Sequence, residues 1–245
     1  MKFRDSVKSF RLEESDLRTN VFDEPAYRNR RCVFRDRVHA GELLATKLKD
    51  HILGEDVQLL AIPAGGVPVG CTIAKRLNAS FDVIVVRKVQ IPWNTEAGFG
   101  AVSWDGSVVL NEALIPRLGL TDEAIHRTVS QAREVIRERA LKFRGDRSPP
   151  NLENKVVIIV DDGLASGYTM LSAVKSVYGR SPKRTIVAVP TASTSAVDLV
   201  APNVDAMICL NIRSGPVFAV ADAYQKWHDL SDEEVLRFLR TIRDE

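Results

Sequence analysis

The sequence predicts an α/β protein with an open, mostly parallel sheet flanked by helices. Short apolar segments alternate along the chain with segments of helical periodicity. The apolar segments are apolar on both faces, as expected of strands that helices cover on both sides. Such alternation is typical of a layered α/β domain, in which ligands bind beyond the carboxyl ends of the strands.

Composition narrows the possible classes of protein. The chain has 245 residues, of which 45% are apolar and 27% charged, as in a globular protein with a sizeable core. The net charge of +2 does not favour nucleic acid or a membrane surface as a partner. The three cysteines and four histidines lack metal-ligand spacing. Without a recognisable signal peptide or membrane helix, the expected compartment is the cytoplasm.

The first half of the chain is predicted as an arm followed by alternating elements. Residues 1–31 are strongly charged and lack a period, so we expect an N-terminal arm before a single domain over residues 32–245. Residues 89–106 contain three glycines and show neither helical nor strand periodicity. This predicts a long loop of the kind that often serves as a mobile lid. The other elements predicted here are a helix over 36–53, a strand over 57–63, a helix that begins near Pro68, and a strand over 81–88.

The second half continues the alternation. An amphipathic helix is predicted over 122–143, with Thr121 as its N-cap. The closing helix begins with a capping box formed by Ser231 and Glu234. Between them we expect a strand over 156–160, a helix through Tyr178, a strand over 184–190, a helix near 193–200 and a strand over 205–210; a short strand over 107–111 precedes them.

Residues 156–170, VVIIVDDGLASGYTM, carry the chemistry. Asp161 and Asp162 follow an apolar strand, and adjacent residues at a strand end point to opposite sides. The glycine-containing loop then enters a helix, where free N–H groups and the hydroxyls of Ser166 and Thr169 suit a phosphate. Acceptors for sugar hydroxyls beside a phosphate site indicate a phosphorylated ribose. The Walker and dinucleotide motifs are both missing, because no lysine follows Gly167 and no GxGxxG is present.

This segment resembles the 5-phosphoribosyl 1-pyrophosphate (PRPP) motif of type I phosphoribosyltransferases. The likeness extends from about Val33 to Phe238 and resembles a subgroup whose acceptor is not settled. It implies a doubly flanked parallel sheet with a small hood, and a ribose held by the two aspartates. Serine at 166 stands where many members have threonine. The PRPP residues implied are Asp161, Asp162, Gly163, Leu164, Ala165, Ser166, Gly167, Tyr168 and Thr169.

Two further segments of the resemblance concern pyrophosphate. The turn that contains Ala64, Gly65 and Gly66 corresponds to the one whose amides receive pyrophosphate in the family. Several members have arginine where this chain has Ala64, a departure that weakens charge contact there. Arg87 and Lys88 end the second predicted strand, where the family places basic residues before its mobile loop. A solvated basic strand end and an ordinary tight turn are the alternative explanations.

The lid and the hood supply the remaining candidates. Glu96 is expected to orient or deprotonate an acceptor, or else to be a surface carboxylate, and Gly98 and Gly100 are candidate hinges. Asp222 lies in a segment that, in purine-type members, lines the base pocket and helps to place a metal. A helix-capping or ion-paired aspartate would look the same.

The resemblance implies a catalysed transfer that uses Mg²⁺. A nitrogenous, nucleobase-like acceptor would displace pyrophosphate at C1 of PRPP, with Asp161, Asp162, Glu96 and Lys88 as the catalytic residues. A homodimer is usual in the family. Two alternatives stay open: a PRPP-binding regulator without catalysis, and a PRPP hydrolase that uses water.

Overall fold

Two sheets organise the protein. The computed structural model describes residues 19–243, apart from the side chains at positions 95, 96 and 243. Six parallel strands form the main sheet in the order β1-β9-β8-β7-β2-β3, and β4, β5 and β6 form a separate antiparallel sheet. The strands are β1 Val21–Phe22, β2 Val57–Ala61, β3 Ser80–Val83, β4 Val86–Ile91, β5 Asn94–Ser103, β6 Val108–Leu110, β7 Val156–Val160, β8 Arg184–Ser193 and β9 Ala206–Arg213.

Helices cover both faces of the main sheet, as the sequence predicts. They are α1 Arg37–Leu48, α2 Gly66–Leu77, α3 Ile115–Leu118, α4 Asp122–Arg144, α5 Tyr168–Tyr178, α6 Thr194–Val200 and α7 Asp232–Arg243. The Thr121 hydroxyl accepts a hydrogen bond from the N–H of Ala124, and the capping box at Ser231 is formed. Both caps were readable because capping depends on residues three positions apart.

The strand residues alternate between two cores. In β7, Val156, Ile158 and Val160 pack with α1, α2, α4 and α7 on one face. Val157 and Ile159 pack with α5 and α6 on the other face. This strand has no polar face because helices bury it on both sides, as its sequence predicts.

The interpretation of residues 89–106 as a loop was wrong. Most of the segment belongs to β4 and β5, which pair in antiparallel register and turn at Pro92 and Trp93. Gly98 and Gly100 lie inside β5 and cannot be the hinges of a loop. A Cβ at Gly98 would be 2.3 Å from Cγ of Lys88, and one at Gly100 would be 2.4 Å from the Val109 carbonyl oxygen. The glycines permit close strand packing, and they hid the strand because they have low strand propensity.

Several strand assignments also differ from those predicted, including the bounds of β2 and β9. The segment 81–88 is divided between β3 and β4. β8 continues through Pro190 to Ser193, since β9 pairs with it before and after the proline while Pro190 itself has no partner in the register. Val21 and Phe22 of the predicted N-terminal arm pair with β9 as an edge strand, whereas residues 1–18 lie outside the described part.

Over residues 19–243, no helix combines the length and the apolar character that crossing a membrane requires.

Candidate functional site

Asp161 and Asp162 lie at the carboxyl end of β7, directly beside the turn that follows β2. The two strands end together, because Ala61 pairs with Val160. A Cβ built on Gly65 would be 1.9 Å from Oδ2 of Asp162, and one on Gly66 would be 2.9 Å from Cα of Asp161. The proposed pyrophosphate turn and the proposed ribose acids are thus one contiguous surface.

Asp162 is paired with a cation that the sequence analysis did not identify. Its Oδ2 accepts a hydrogen bond of 2.8 Å from Nε of Arg37, at the start of α1. The side chains are 8% and 13% exposed for Arg37 and Asp162 respectively. The hydroxyl of Tyr224 donates to the Asp162 carbonyl oxygen at 2.7 Å. The acid is therefore fixed through both its carboxylate and its backbone.

The two aspartates differ in electrostatic environment. Burial raises the pKa of Asp161 well above its ordinary value, and the neighbouring charge of Asp162 raises it further. Burial also raises the pKa of Asp162, but the charge of Arg37 and its hydrogen bond oppose that rise. Asp161 Oδ1 accepts a hydrogen bond from the Asp162 N–H at 2.8 Å. Asp161 is thus the aspartate whose negative charge the fold stabilises less.

The loop after the aspartates is anchored to β8 before it enters α5. Leu164 is buried, and it donates its N–H to the Thr191 carbonyl and accepts from the Ser193 N–H. Ala165 and Ser166 are exposed. Gly167 has φ of +79°, a conformation that glycine adopts without strain, and the helix follows at Tyr168. Gly167 has no side chain to cap the first N–H groups of α5, so they remain suited to an anion.

The predicted basic residues lie on the small sheet. Arg87 is opposite Val102 in β5, and Lys88 is opposite Ala101. Both are half-buried, and the stem of Lys88 crosses Gly98. Glu96 is the candidate for orienting or deprotonating an acceptor. Its side chain lies outside the described residues.

Asp222 has arginine neighbours. Its Oδ2 accepts a hydrogen bond of 3.0 Å from Arg213 and is 3.7 Å from a guanidinium nitrogen of Arg31. Arg213 in turn has its guanidinium carbon 5.1 Å from the centre of the Phe218 ring. Asp222 is therefore an ion-paired aspartate in this structure, which is one of the alternatives that the sequence left open.

Two chain segments form a hood over this edge of the sheet: residues 28–36 and residues 214–228. They run together, since Phe34 donates to the Ala223 carbonyl and Gln225 donates to the Phe34 carbonyl. Val220 approaches the aspartate loop, because its Cγ1 is 2.6 Å from where a Cβ on Gly163 would lie.

Sequence reasoning missed Arg37, Tyr224 and Trp227 as neighbours of the acids. Arg37 belongs to the segment FRDRVHAGELLA that contributed to the resemblance, but its position opposite Asp162 has no local signal. The ring of Trp227 stacks on the Arg37 guanidinium, whose carbon lies 3.9 Å from the ring centre.

Comparison with known proteins agrees with this geometry. The profile of the phosphoribosyl transferase domain matches residues 36–221. Two proteins of Mycobacterium tuberculosis (strains CDC 1551 and H37Rv), provisionally named phosphoribosyl transferases, are each 35% identical over 213 residues. The alignment covers 86% of this chain and 48% of each relative, so the chain spans about half the length of the curated relatives it matches.

One solved structure is similar over nearly its whole length. The protein TT1426 of Thermus thermophilus is 35% identical, with a TM-score of 0.70, and the match covers 84% of this chain and 97% of that one. The aspartates, the glycine turn and the loop before α5 all fall within the matched domain. The resemblance inferred from residues 156–170 is therefore confirmed: this chain belongs to the phosphoribosyl transferase domain family.

Proposed function

We propose that this protein binds PRPP with Mg²⁺ and transfers the phosphoribosyl group to a nitrogenous, nucleobase-like acceptor, with release of pyrophosphate. The observation that carries the proposal is the contact between the Asp161–Asp162 pair and the Gly65–Gly66 turn. PRPP has a diol and a pyrophosphate on adjacent parts of one sugar. A pair of acids touching an amide-rich turn is complementary to both.

Each part of the site has a defined task in this proposal. Asp161 and Asp162 accept hydrogen bonds from the ribose hydroxyls and hold C1 in line with its attacker. The backbone of residues 165–169 and the first turn of α5 bind the 5′-phosphate. The Ala64–Gly66 turn, Arg87 and Lys88 stabilise the negative charge that develops on pyrophosphate as the bond to C1 breaks.

Mg²⁺ fits the site best as a partner of the substrate. Magnesium prefers oxygen ligands and retains waters, so pyrophosphate and ribose oxygens can provide most of its coordination. Among the described side chains, which do not include that of Glu96, no group of three or more His, Cys, Asp or Glu residues could enclose a metal. Asp222 was the candidate ligand, but its pairing with Arg213 already compensates its charge. When bound, the ion would lower the charge of the leaving group.

The β4–β5 hairpin remains the proposed lid, now as a pair of strands and not as a loop. Its tip carries Trp93, which is 65% exposed. Closure over the site would exclude water from the sugar cation that forms as pyrophosphate departs. Glu96 is proposed to orient the acceptor from this hairpin. We also propose that the protein forms a homodimer.

The first test is isothermal titration of the protein with PRPP in the presence of Mg²⁺. We expect saturable binding, and an absence of binding would contradict the proposal. The second step is a screen of purines, pyrimidines and small amines for pyrophosphate release. Release that requires one acceptor class identifies a transferase.

Two outcomes of these assays would replace the proposal. Pyrophosphate release at full rate without any acceptor would indicate a PRPP hydrolase. Binding without turnover, together with a gel shift of nucleic acid that depends on PRPP at graded salt, would indicate a regulator.

A further inference from the structure

The contact between Arg37 and Asp162 is a buried ion pair at the centre of the site. Nε of Arg37 donates to Oδ2 of Asp162 at 2.8 Å, and the residues are 125 positions apart in the chain. Both side chains are nearly inaccessible. A buried ion pair contributes little net stability, because desolvation of the two charges offsets their attraction. The ion pair therefore matters to the protein mainly through the side chains that it orients.

The guanidinium is held on its other sides as well. Its NH1 group donates to the His228 carbonyl oxygen at 3.0 Å. Its carbon lies 3.9 Å from the ring centre of Trp227 and 5.9 Å from that of Tyr224. A planar group fixed by a hydrogen bond and by ring stacking has little rotational freedom left.

The holding segment is itself tied to the start of α7. The imidazole of His228 lies 2.9 Å from a carboxylate oxygen of Glu234, and Glu234 accepts from the backbone N–H and the hydroxyl of Ser231. The capping box read from the sequence thus anchors the segment whose carbonyl holds Arg37. These contacts link α7 to Asp162 through His228 and Arg37.

Arg37 has no room to bind substrate itself. It is 7% exposed, and its contacts are to Asp162, to the chain at His228 and to aromatic rings. The Asp162 carboxylate, in contrast, lies directly against Gly65 of the turn that is proposed to receive pyrophosphate. Any influence of Arg37 on a ligand must therefore pass through Asp162.

We propose that Arg37 is the positioning residue of the PRPP site, which holds the Asp162 carboxylate in the orientation that accepts a ribose hydroxyl. The inference rests on the proposed function, since it concerns the ligand of Asp162. It assigns Trp227 and the His228 carbonyl a supporting part, because they fix the guanidinium.

The test is a double-mutant cycle on PRPP affinity, measured by titration calorimetry with Mg²⁺. Arg37→Gln is expected to weaken PRPP binding about tenfold or more, as for loss of a charge-assisted contact. Arg37→Lys should recover part of that loss, since it keeps a charge beside Asp162. The matched control is Arg137→Gln, an exposed arginine of α4 that should bind PRPP like the wild type when it is replaced.

The cycle separates positioning from a general loosening of the fold. In an Asp162→Asn background, Arg37→Gln should change PRPP affinity by less than about twofold, because the group through which it acts has lost its charge. An equal loss in both backgrounds would overturn the inference, as would unchanged affinity in Arg37→Gln. Failure of the wild type to bind PRPP would instead refute the proposed function. If Arg37→Gln does not fold, the same cycle with Arg37→Lys decides between these outcomes.

Discussion

The Asp162 carboxylate occupies the space that a side chain on Gly65 would need. The Cβ position of Gly65 is 1.9 Å from Oδ2 and 2.7 Å from Oδ1 of Asp162. Because Asp162 is also held by Arg37, it cannot move aside freely. The absence of a side chain at position 65 is therefore a condition for Asp162 and the Gly65–Gly66 turn to lie in contact.

Gly65→Ala is expected to separate these two parts of the site. Displacement by about an ångström of either part should lower PRPP affinity by about a hundredfold. The measurement is PRPP titration, with circular dichroism to verify folding. Gly179→Ala is the matched control, because Gly179 has φ of −62° and its nearest neighbour would be 3.7 Å from the new Cβ. Equal PRPP affinity in the two variants would contradict the contact.

Asp161→Asn should raise stability while it weakens PRPP binding. Burial raises the pKa of Asp161, so between the ordinary value of about 3.9 and the raised one the folded protein keeps a proton that the unfolded chain has released. Stability of the wild type therefore falls as the pH rises through that window. Asparagine has no such proton, so the Tm of the variant should exceed that of the wild type at pH 7, and the difference should vanish below about pH 4.

The same variant should bind PRPP about tenfold to a hundredfold more weakly, because the proposed function uses Asp161 as the acceptor for a ribose hydroxyl and asparagine cannot supply a charged acceptor. Thermal scans across pH and calorimetric titrations measure the two effects. Glu112→Gln, at an exposed position, should change neither quantity. A lower Tm for Asp161→Asn at pH 7 would show that the charge at Asp161 stabilises the fold.

The buried pair of Asp82 and Arg144 should matter for folding and not for the site. Arg144 donates from Nε and NH2 to the Asp82 carboxylate at 3.0–3.2 Å, and it joins the end of α4 to the edge strand β3. Arg144→Met leaves a buried carboxylate without this partner, so we expect the free energy of unfolding to fall by about 3–5 kcal/mol. Chemical denaturation measures it.

The control for this prediction is Arg137→Met on the same helix. Arg137 pairs with Glu134 at 2.8 Å, but the side chains are 74% and 66% exposed. Loss of this pair should cost less than about 1 kcal/mol. Similar losses for the two variants would mean that burial does not set the strength of these pairs.

Glu234→Gln should reduce the sensitivity of the fold to acid. The hydrogen bond from the Ser231 N–H, with those from His228 and the Ser231 hydroxyl, lowers the pKa of Glu234 to about 2. Its contribution is present above the unfolded value of about 4.3 and is lost as the pH falls towards 2. In urea denaturation at pH 2–5, the variant should therefore show a shallower loss of stability than the wild type.

Glu233→Gln is the control, because this exposed acid shares the first turn of α7. Its profile should follow that of the wild type. An identical acid profile for Glu234→Gln would show that the capping box does not stabilise the fold through charge.

Local patterns predicted much of this molecule. The helix over 122–143 and the capping box at Ser231 were readable because both depend on residues within one helical turn. The acids at 161 and 162 were readable because they directly follow a strand that is apolar on both faces. The hairpin was not readable, since the glycines of β5 are explained only by the strands against which they pack.

The sequence by itself determined the alternation of strands and helices, the family resemblance and the identity of the two acids, because those features reside in short runs of residues. The tertiary structure alone decided that Arg37 is opposite Asp162, that Gly65 touches the same carboxylate and that Asp222 is paired with Arg213. The physical reason is distance along the chain: Arg37 and Asp162 are 125 positions apart, and no local pattern specifies which distant charges meet once the sheet has formed.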